Sequence, residues 1–355
     1  MEQIISVHFS QTEHDVRAIA TTGHPEAAPE QAFQIIERET PQPGEWDLLV
    51  RIEAVSVNPV DTKIRRGAFL PRDQQHVLGW DAVGHVESVG SNVTGFAPGE
   101  RVYYSGEVER PGCHAEYQLV DARLAAKAPR NLAPEEAAAI PLTGLTAWEA
   151  LFDKLKLAQG ADTHSDETLL IINGAGGVGS IAIQLARQLT GIKVIATASR
   201  EQSVEWCRSM GAHEVVSHHD LIDNMQRAGY TEVDYIFNCH DIGDHWDNMN
   251  TLIRPWGHIV AIAETDKAVD LNLLQGKAVT FSWEFMFARS LHGHDIAHQG
   301  KALTILAEHL DAGRLCSTRS EVVGPLTPEN LGRAHRQLEE GHTIGKLVLT
   351  ALPPA

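Results

Sequence analysis

The stretch Leu169-Leu170-Ile171-Ile172-Asn173-Gly174-Ala175-Gly176-Gly177-Val178-Gly179 constrains this chain more than any other. Its four aliphatic residues predict a buried strand, and residues 180–189 carry the apolar spacing of a helix. A second aliphatic run, Val194 to Ala198, predicts the next parallel strand. Between strand and helix, Gly174, Gly176 and Gly179 form G-x-G-x-x-G, with Gly177 and Val178 inside it. Glycines at this spacing permit a tight turn, close approach of a pyrophosphate to the backbone, and close packing of helix on strand. The pyrophosphate then meets the positive end of the helix. The motif alone is common in glycine-rich turns. Set inside a complete strand–turn–helix–strand unit, it predicts a dinucleotide site.

Which dinucleotide is expected depends on the end of the second strand. An NAD site usually places Asp or Glu about 20 residues on, against the ribose 2′-hydroxyl. Here the strand ends Ala198-Ser199-Arg200, with no acid before Glu201. A hydroxyl and a guanidinium donate charge-assisted hydrogen bonds to a 2′-phosphate, which a carboxylate would repel. NADPH is therefore expected over NADH, with Ser199 and Arg200 as its contacts. The alternative is that Arg200 only points into solvent at a helix start.

At 355 residues the chain is long enough for two domains. A formal net charge of −18 argues against nucleic acid as a partner, since that affinity comes from basic patches. No apolar run approaches the length of a membrane span, so no membrane partner is expected. Met1 to Ser6 show neither a basic leader nor a long apolar core. Cys113, Cys207, Cys239 and Cys316 are scattered and read as reduced thiols, which predicts a cytoplasmic protein. The 19 histidines include no His-Glu-x-x-His arrangement.

Three regions are legible. Residues 1–139 read as short strands and turns, a compact β-rich domain. Residues 140–285 alternate strands and helices, the pattern of a doubly wound parallel sheet in an α/β fold. Residues 286–355 carry an amphipathic helix near residues 296–312, a helix from Pro328 to Glu340 and a closing strand, Lys346 to Leu349. Glu135-Glu136 reads as the start of a solvated helix.

Four segments together resemble the medium-chain dehydrogenase/reductase superfamily, in its quinone oxidoreductase branch. They are the run from Ser56 to Gly67, Leu78-Gly79-Trp80-Asp81-Ala82-Val83-Gly84, Pro141 to Trp148, and the glycine loop. Phe281-Ser282-Trp283-Glu284-Phe285-Met286-Phe287 resembles a subgroup labelled zinc-type alcohol dehydrogenase-like. The resemblance implies a GroES-like catalytic domain built from both termini, wrapped around a central Rossmann NADPH-binding domain. It also implies an active site in the cleft between them and a homodimer.

The zinc of the subgroup is not expected here. Its zinc-dependent members place a cysteine at Asn58, a histidine at Trp80 and a second cysteine near Leu142 to Leu145. Asn, Trp and Leu cannot replace thiolate and imidazole. The structural-zinc lobe needs four cysteines, and the corresponding region holds only Cys113. An oxygen-rich site from Asp61, Asp81 and His85 is the remaining metal option, and the expectation is no metal.

Without a Lewis acid, hydride transfer to an already electrophilic acceptor is easier than alcohol–ketone interconversion. The expected function is zinc-independent, NADPH-dependent reduction of a small-molecule acceptor, a quinone or an α,β-unsaturated carbonyl. The alternatives are a zinc-type alcohol dehydrogenase and a non-catalytic NADPH-binding protein. By resemblance Asn58 lies beside the nicotinamide, and Asp61 either holds Arg65 or stays behind the site. Tyr103, or Tyr104, is a candidate proton donor, with packing as the alternative. Trp80, Trp283 and Phe285 are candidates for an apolar acceptor pocket, or equally for core packing. Asn238 and Lys346 are candidate cofactor contacts.

Overall fold

A computed structural model describes residues 15–71 and 74–354. The opening Met1 to Ser6, read above for a leader, lie outside the described residues. Strands β1 (Asp15–Thr21) and β2 (Phe33–Glu39) pair antiparallel as a small separate sheet, one the sequence pattern does not announce. Strands β3 (Asp47–Ser56), β4 (Ala82–Val89), β5 (Arg101–Tyr104), β6 (Tyr117–Asp121) and β7 (Ala125–Lys127) belong to a larger sheet. Next come β8 (Thr168–Ile172), β9 (Lys193–Thr197), β10 (Glu214–Val216), β11 (Val233–Asp241), β12 (Ile253–Ala263) and β13 (Thr280–Trp283). The chain closes with β14 (Arg319–Pro325) and β15 (Lys346–Thr350).

The six strands β8–β13 form one parallel sheet in the order β10-β9-β8-β11-β12-β13. Leu169, Leu170 and Ile171 of β8 are fully buried, as an aliphatic run at the centre of a covered parallel sheet requires. The order reverses between β8 and β11, and in such sheets ligands bind beyond the strand C-termini at that switch point.

The other large sheet runs β14-β15-β3-β4-β5-β7, with β6 beside β3. Strand β15 pairs antiparallel with β3, so residues from both ends of the chain share one sheet. That pairing brings Lys346, the first residue of β15, to the end of β3, where the chain turns through Asn58 into the helix Pro59–Arg65. The fold class read from the sequence is thus the one observed, a GroES-like β-rich domain with a Rossmann-type sheet. Among the described residues no helix is long and apolar enough to cross a membrane.

Candidate active site

A cleft of about 630 Å³ lies where the two sheets meet. Its floor includes the turn after β8. Asn173 takes the left-handed backbone there, with φ +64°, and its N–H donates to Thr197 Oγ1 at 2.9 Å. The motif glycines serve space instead. A Cβ on Gly179 would stand 2.4 Å from the Asn173 carbonyl oxygen, and one on Gly174 2.7 Å from Ala196 Cβ. Gly176 caps the helix Gly177–Leu189 with no side chain over its first turn. The first N–H groups of a helix have no partner inside it, so Gly177, Val178 and Gly179 leave a bare, positive N-terminus at the cleft.

Beside the loop lies a buried polar cluster. Lys346 Nζ donates to Asn58 Oδ1, to the Val57 carbonyl at 2.9 Å and to Asp81 Oδ2 at 2.9 Å. Asp81 Oδ2 also accepts from Asn58 Nδ2 at 2.9 Å and Ser56 Oγ at 2.8 Å, while its Oδ1 accepts the Leu142 N–H at 2.7 Å. Asn58 and Asp81 are fully buried. A charge in such a place is tolerated only when paired and fully hydrogen-bonded, and Asp81 is both.

Asp61 does not hold Arg65. Its Oδ2 accepts the Asn58 N–H at 2.7 Å, capping the helix, while Arg65 donates to the Ala27 carbonyl and to Glu339. Asp61 is fully buried and its Oδ1 has no partner. Burial pushes its carboxyl up to about 7, against the opposing pull of the Asn58 N–H and the Lys346 charge.

The third wall is apolar. Trp283 and Phe285 border the cleft as expected for an acceptor pocket, joined by Phe69, Met286 and Phe287. Glu284 lies among them with both carboxyl oxygens buried and unpartnered. Burial, reinforced by the neighbouring Glu149, raises it to about 9, so it is neutral near pH 7.

Several expected site residues lie elsewhere. Trp80 is fully buried, donates its indole N–H to the Glu107 carbonyl at 2.9 Å, and packs edge-on against Phe287 without itself lining the cleft. Tyr103 donates its hydroxyl to the Leu303 carbonyl at 2.5 Å inside the β-domain core, and Tyr104 is equally buried. Neither tyrosine reaches the cleft as a proton donor. Asn238 is buried and folds back on its own strand, donating Nδ2 to the His240 carbonyl and accepting the His240 N–H. Ser199 and Arg200 are exposed at the end of β9, with Arg200 donating to the His342 carbonyl at 2.9 Å. Asp61, Asp81 and His85 do not converge, since Asp81 is committed to Lys346 and His85 pairs with Glu53 at 3.2 Å. Among the described residues no three His, Cys, Asp or Glu side chains are grouped to hold a metal. The amide, indole and aliphatic groups at the zinc-ligand positions do not suit that ion.

The family comparisons agree with this architecture. Residues 44–130 match the alcohol dehydrogenase GroES-like domain, and residues 177–292 match the zinc-binding dehydrogenase family. A zinc-type alcohol dehydrogenase-like protein of Staphylococcus aureus is 43% identical over 319 residues, covering 89% of this chain and 94% of its own. This chain belongs to the medium-chain dehydrogenase/reductase superfamily, in its quinone oxidoreductase-like branch. It is therefore an oxidoreductase of that type. An NADPH-dependent alkenal/one oxidoreductase of Arabidopsis thaliana is 32% identical over 330 residues, 88% of this chain and 74% of that protein. A candidate zinc-dependent alcohol dehydrogenase of Rhizobium etli superposes with a TM-score of 0.90 at 39% identity, covering 96% and 99% of the two chains. The Escherichia coli quinone oxidoreductase, solved with NADPH, gives 0.77 at 26% identity, covering 95% and 100%.

Proposed function

We propose that this oxidoreductase is zinc-independent and uses NADPH to reduce quinones or α,β-unsaturated carbonyls. One observation carries the reading. At Asn58, where zinc-dependent relatives have a cysteine ligand, this chain has a buried amide tied to the Lys346 ammonium and the Asp81 carboxylate beside an aromatic cleft. The NADPH of the E. coli structure and of the Arabidopsis relative's name supports the cofactor assignment. The open glycine turn and the bare helix N-terminus fit its pyrophosphate, and Ser199 and Arg200 its 2′-phosphate.

When bound, a reduced nicotinamide supplies a hydride. The chain's share is positioning and electrostatics. Asn58 Nδ2 spends one N–H on Asp81, and its second N–H is the donor for the acceptor's oxygen as negative charge grows there. Lys346, donating to the other end of that amide, fixes its orientation and strengthens the N–H as a donor. With both tyrosines sequestered, water delivers the proton. We further propose a homodimer formed along the edge strand β13, near which Trp256, Leu271 and Leu273 are exposed.

The test is NADPH oxidation by purified, metal-analysed protein offered 1,4-quinones, enones and simple aldehydes in parallel. Turnover of quinones or enones without bound zinc is expected. Turnover confined to alcohols or aldehydes, with stoichiometric zinc, would overturn the reading. A Ser199→Asp/Arg200→Ala variant should lose roughly tenfold or more of its preference for NADPH over NADH.

A further inference from the structure

Phe69 is a cleft residue that the chemistry above leaves unused. It follows the helix Pro59–Arg65, is 62% exposed and borders the cleft. Its backbone φ is +63°, a region that bulky side chains rarely enter. The Leu70 N–H donates to the Ala68 carbonyl at 2.7 Å and closes a three-residue turn around it. Such turns with positive φ are rare and strained. Glycine would adopt this conformation freely, yet the chain carries an aromatic ring here.

The ring's partner is Phe285. Their planes lie 12° from parallel, with centroids 5.8 Å apart. Phe69 belongs to the β-domain and Phe285 follows β13 of the parallel sheet, so the stack spans the cleft mouth. An ion pair of 2.6 Å between Lys63 and Glu264 ties together the two domains at the same cleft. Phe285 remains 38% exposed and Trp283 48%. Aromatic faces left open at a cleft are what an apolar ligand covers.

We propose that Phe69 and Phe285 form an aromatic clamp that selects planar, ring-bearing acceptors of naphthoquinone size over short acyclic enones. The proposal rests on the reading of this cleft as the acceptor site. A conjugated ring continues the stack on an uncovered aromatic face, and offset stacking adds to the gain from area alone. An acyclic enone has too little face to do so.

The experiment compares wild type with Phe69→Gly and Phe69→Leu in two assays. The first is binding of 1,4-naphthoquinone to cofactor-free protein, read by tryptophan quenching. The second is KM and kcat of the holoenzyme for 1,4-naphthoquinone and for 3-penten-2-one. In Phe69→Gly, naphthoquinone affinity should fall roughly five- to tenfold and its KM rise by the same factor. For 3-penten-2-one, which offers little face to the ring, the rise in KM should be clearly smaller, so the ratio of kcat/KM for naphthoquinone over pentenone falls. The thermal midpoint should hold or rise, because glycine relieves the backbone. Phe69→Leu keeps apolar bulk without a ring face and should lose nearly as much affinity. Unchanged naphthoquinone affinity in both variants overturns the clamp, as does an equal loss for both acceptors with a lowered thermal midpoint. Ring-dependent binding without turnover of either acceptor would sink the reductase reading while leaving the clamp standing.

Discussion

The glycine loop and the Lys346 cluster lie side by side along the cleft, and they touch. A Cβ on Gly177 would come within 2.9 Å of Lys346 Cδ. The loop works by omission: it presents N–H groups, and its glycines keep every side chain out of the way. The cluster works by saturation, burying an ammonium and a carboxylate and filling their hydrogen-bonding capacity with Val57, Asn58, Ser56 and Leu142. Each therefore fails in its own way. Adding an atom breaks the loop, whereas removing a charge breaks the cluster.

The sharpest way to test the difference is Lys346→Met. The variant leaves Asp81 charged, buried and short of its cation, and an orphaned buried charge costs about 3–5 kcal/mol. Denaturant unfolding should show that loss. Adding Asp81→Asn to the same chain should recover much of it, because the charge that needed the partner is gone. A Lys346→Met protein as stable as wild type would mean that water reaches Asp81 and that the cluster is not a sealed unit.

Legibility in the sequence follows the same division. The loop spans eleven consecutive residues, and strand, turn and helix announce one another locally, so its existence could be read directly, while its place at the switch point follows only from the strand order. The cluster draws on Ser56, Asn58, Asp81, Leu142 and Lys346, which only the pairing of β15 with β3 brings together. Family resemblance pointed to Asn58 and Lys346 singly, and nothing local linked them to Asp81. Tyr103 is undecided locally for a related reason. A tyrosine at a strand end is either a donor or packing, and Leu303, 200 residues later, supplies the carbonyl that makes it packing. Asn238 lies at the expected strand, yet a local turn folds its amide back onto His240. Phe69 carries no periodic signal at all, since only its backbone angle and its contact with Phe285 mark it.

On the loop side, Gly179→Ala and Gly176→Ala should separate two roles of the same motif. A methyl at 179 meets the backbone of Asn173 and Gly174 at 2.4 and 2.7 Å, neither of which can move without parting helix from strand. Overpacking of this kind costs about 1–3 kcal/mol, and cofactor binding should fall with it. A methyl at 176 has its one tight contact with the Asn173 side-chain amide, at 3.1 Å, which can swing away, and meets the Asn173 carbonyl at an ordinary 3.5 Å. That variant should keep its unfolding midpoint and lose cofactor affinity alone, measured by quenching or calorimetric titration. Equal stability losses at both positions would mean that the loop is packed, not open.

A gain in place of a loss is expected at Asp61, on the edge of the cluster, and it appears as a pH dependence. In the unfolded chain this carboxyl releases its proton near 3.8, but burial holds it until about 7 in the folded protein. Between those values the folded state binds a proton that the unfolded state has lost, so stability falls as pH rises, by up to ~1.4 kcal/mol per pH unit. Above about 7 both states are ionised, and the full penalty remains. Asp61→Asn keeps an oxygen for the Asn58 N–H and removes the titration. The neutral acceptor is weaker and offsets part of the relief from that penalty, so the variant should gain stability over wild type by an amount that grows as pH rises to about 7. Unfolding midpoints of the two proteins should diverge as pH is raised from 4 to 7 and run parallel above it. If they stay parallel throughout, Asp61 is ionised across the range. The region around Asn58 would then be wetter and more like the open loop than its burial implies.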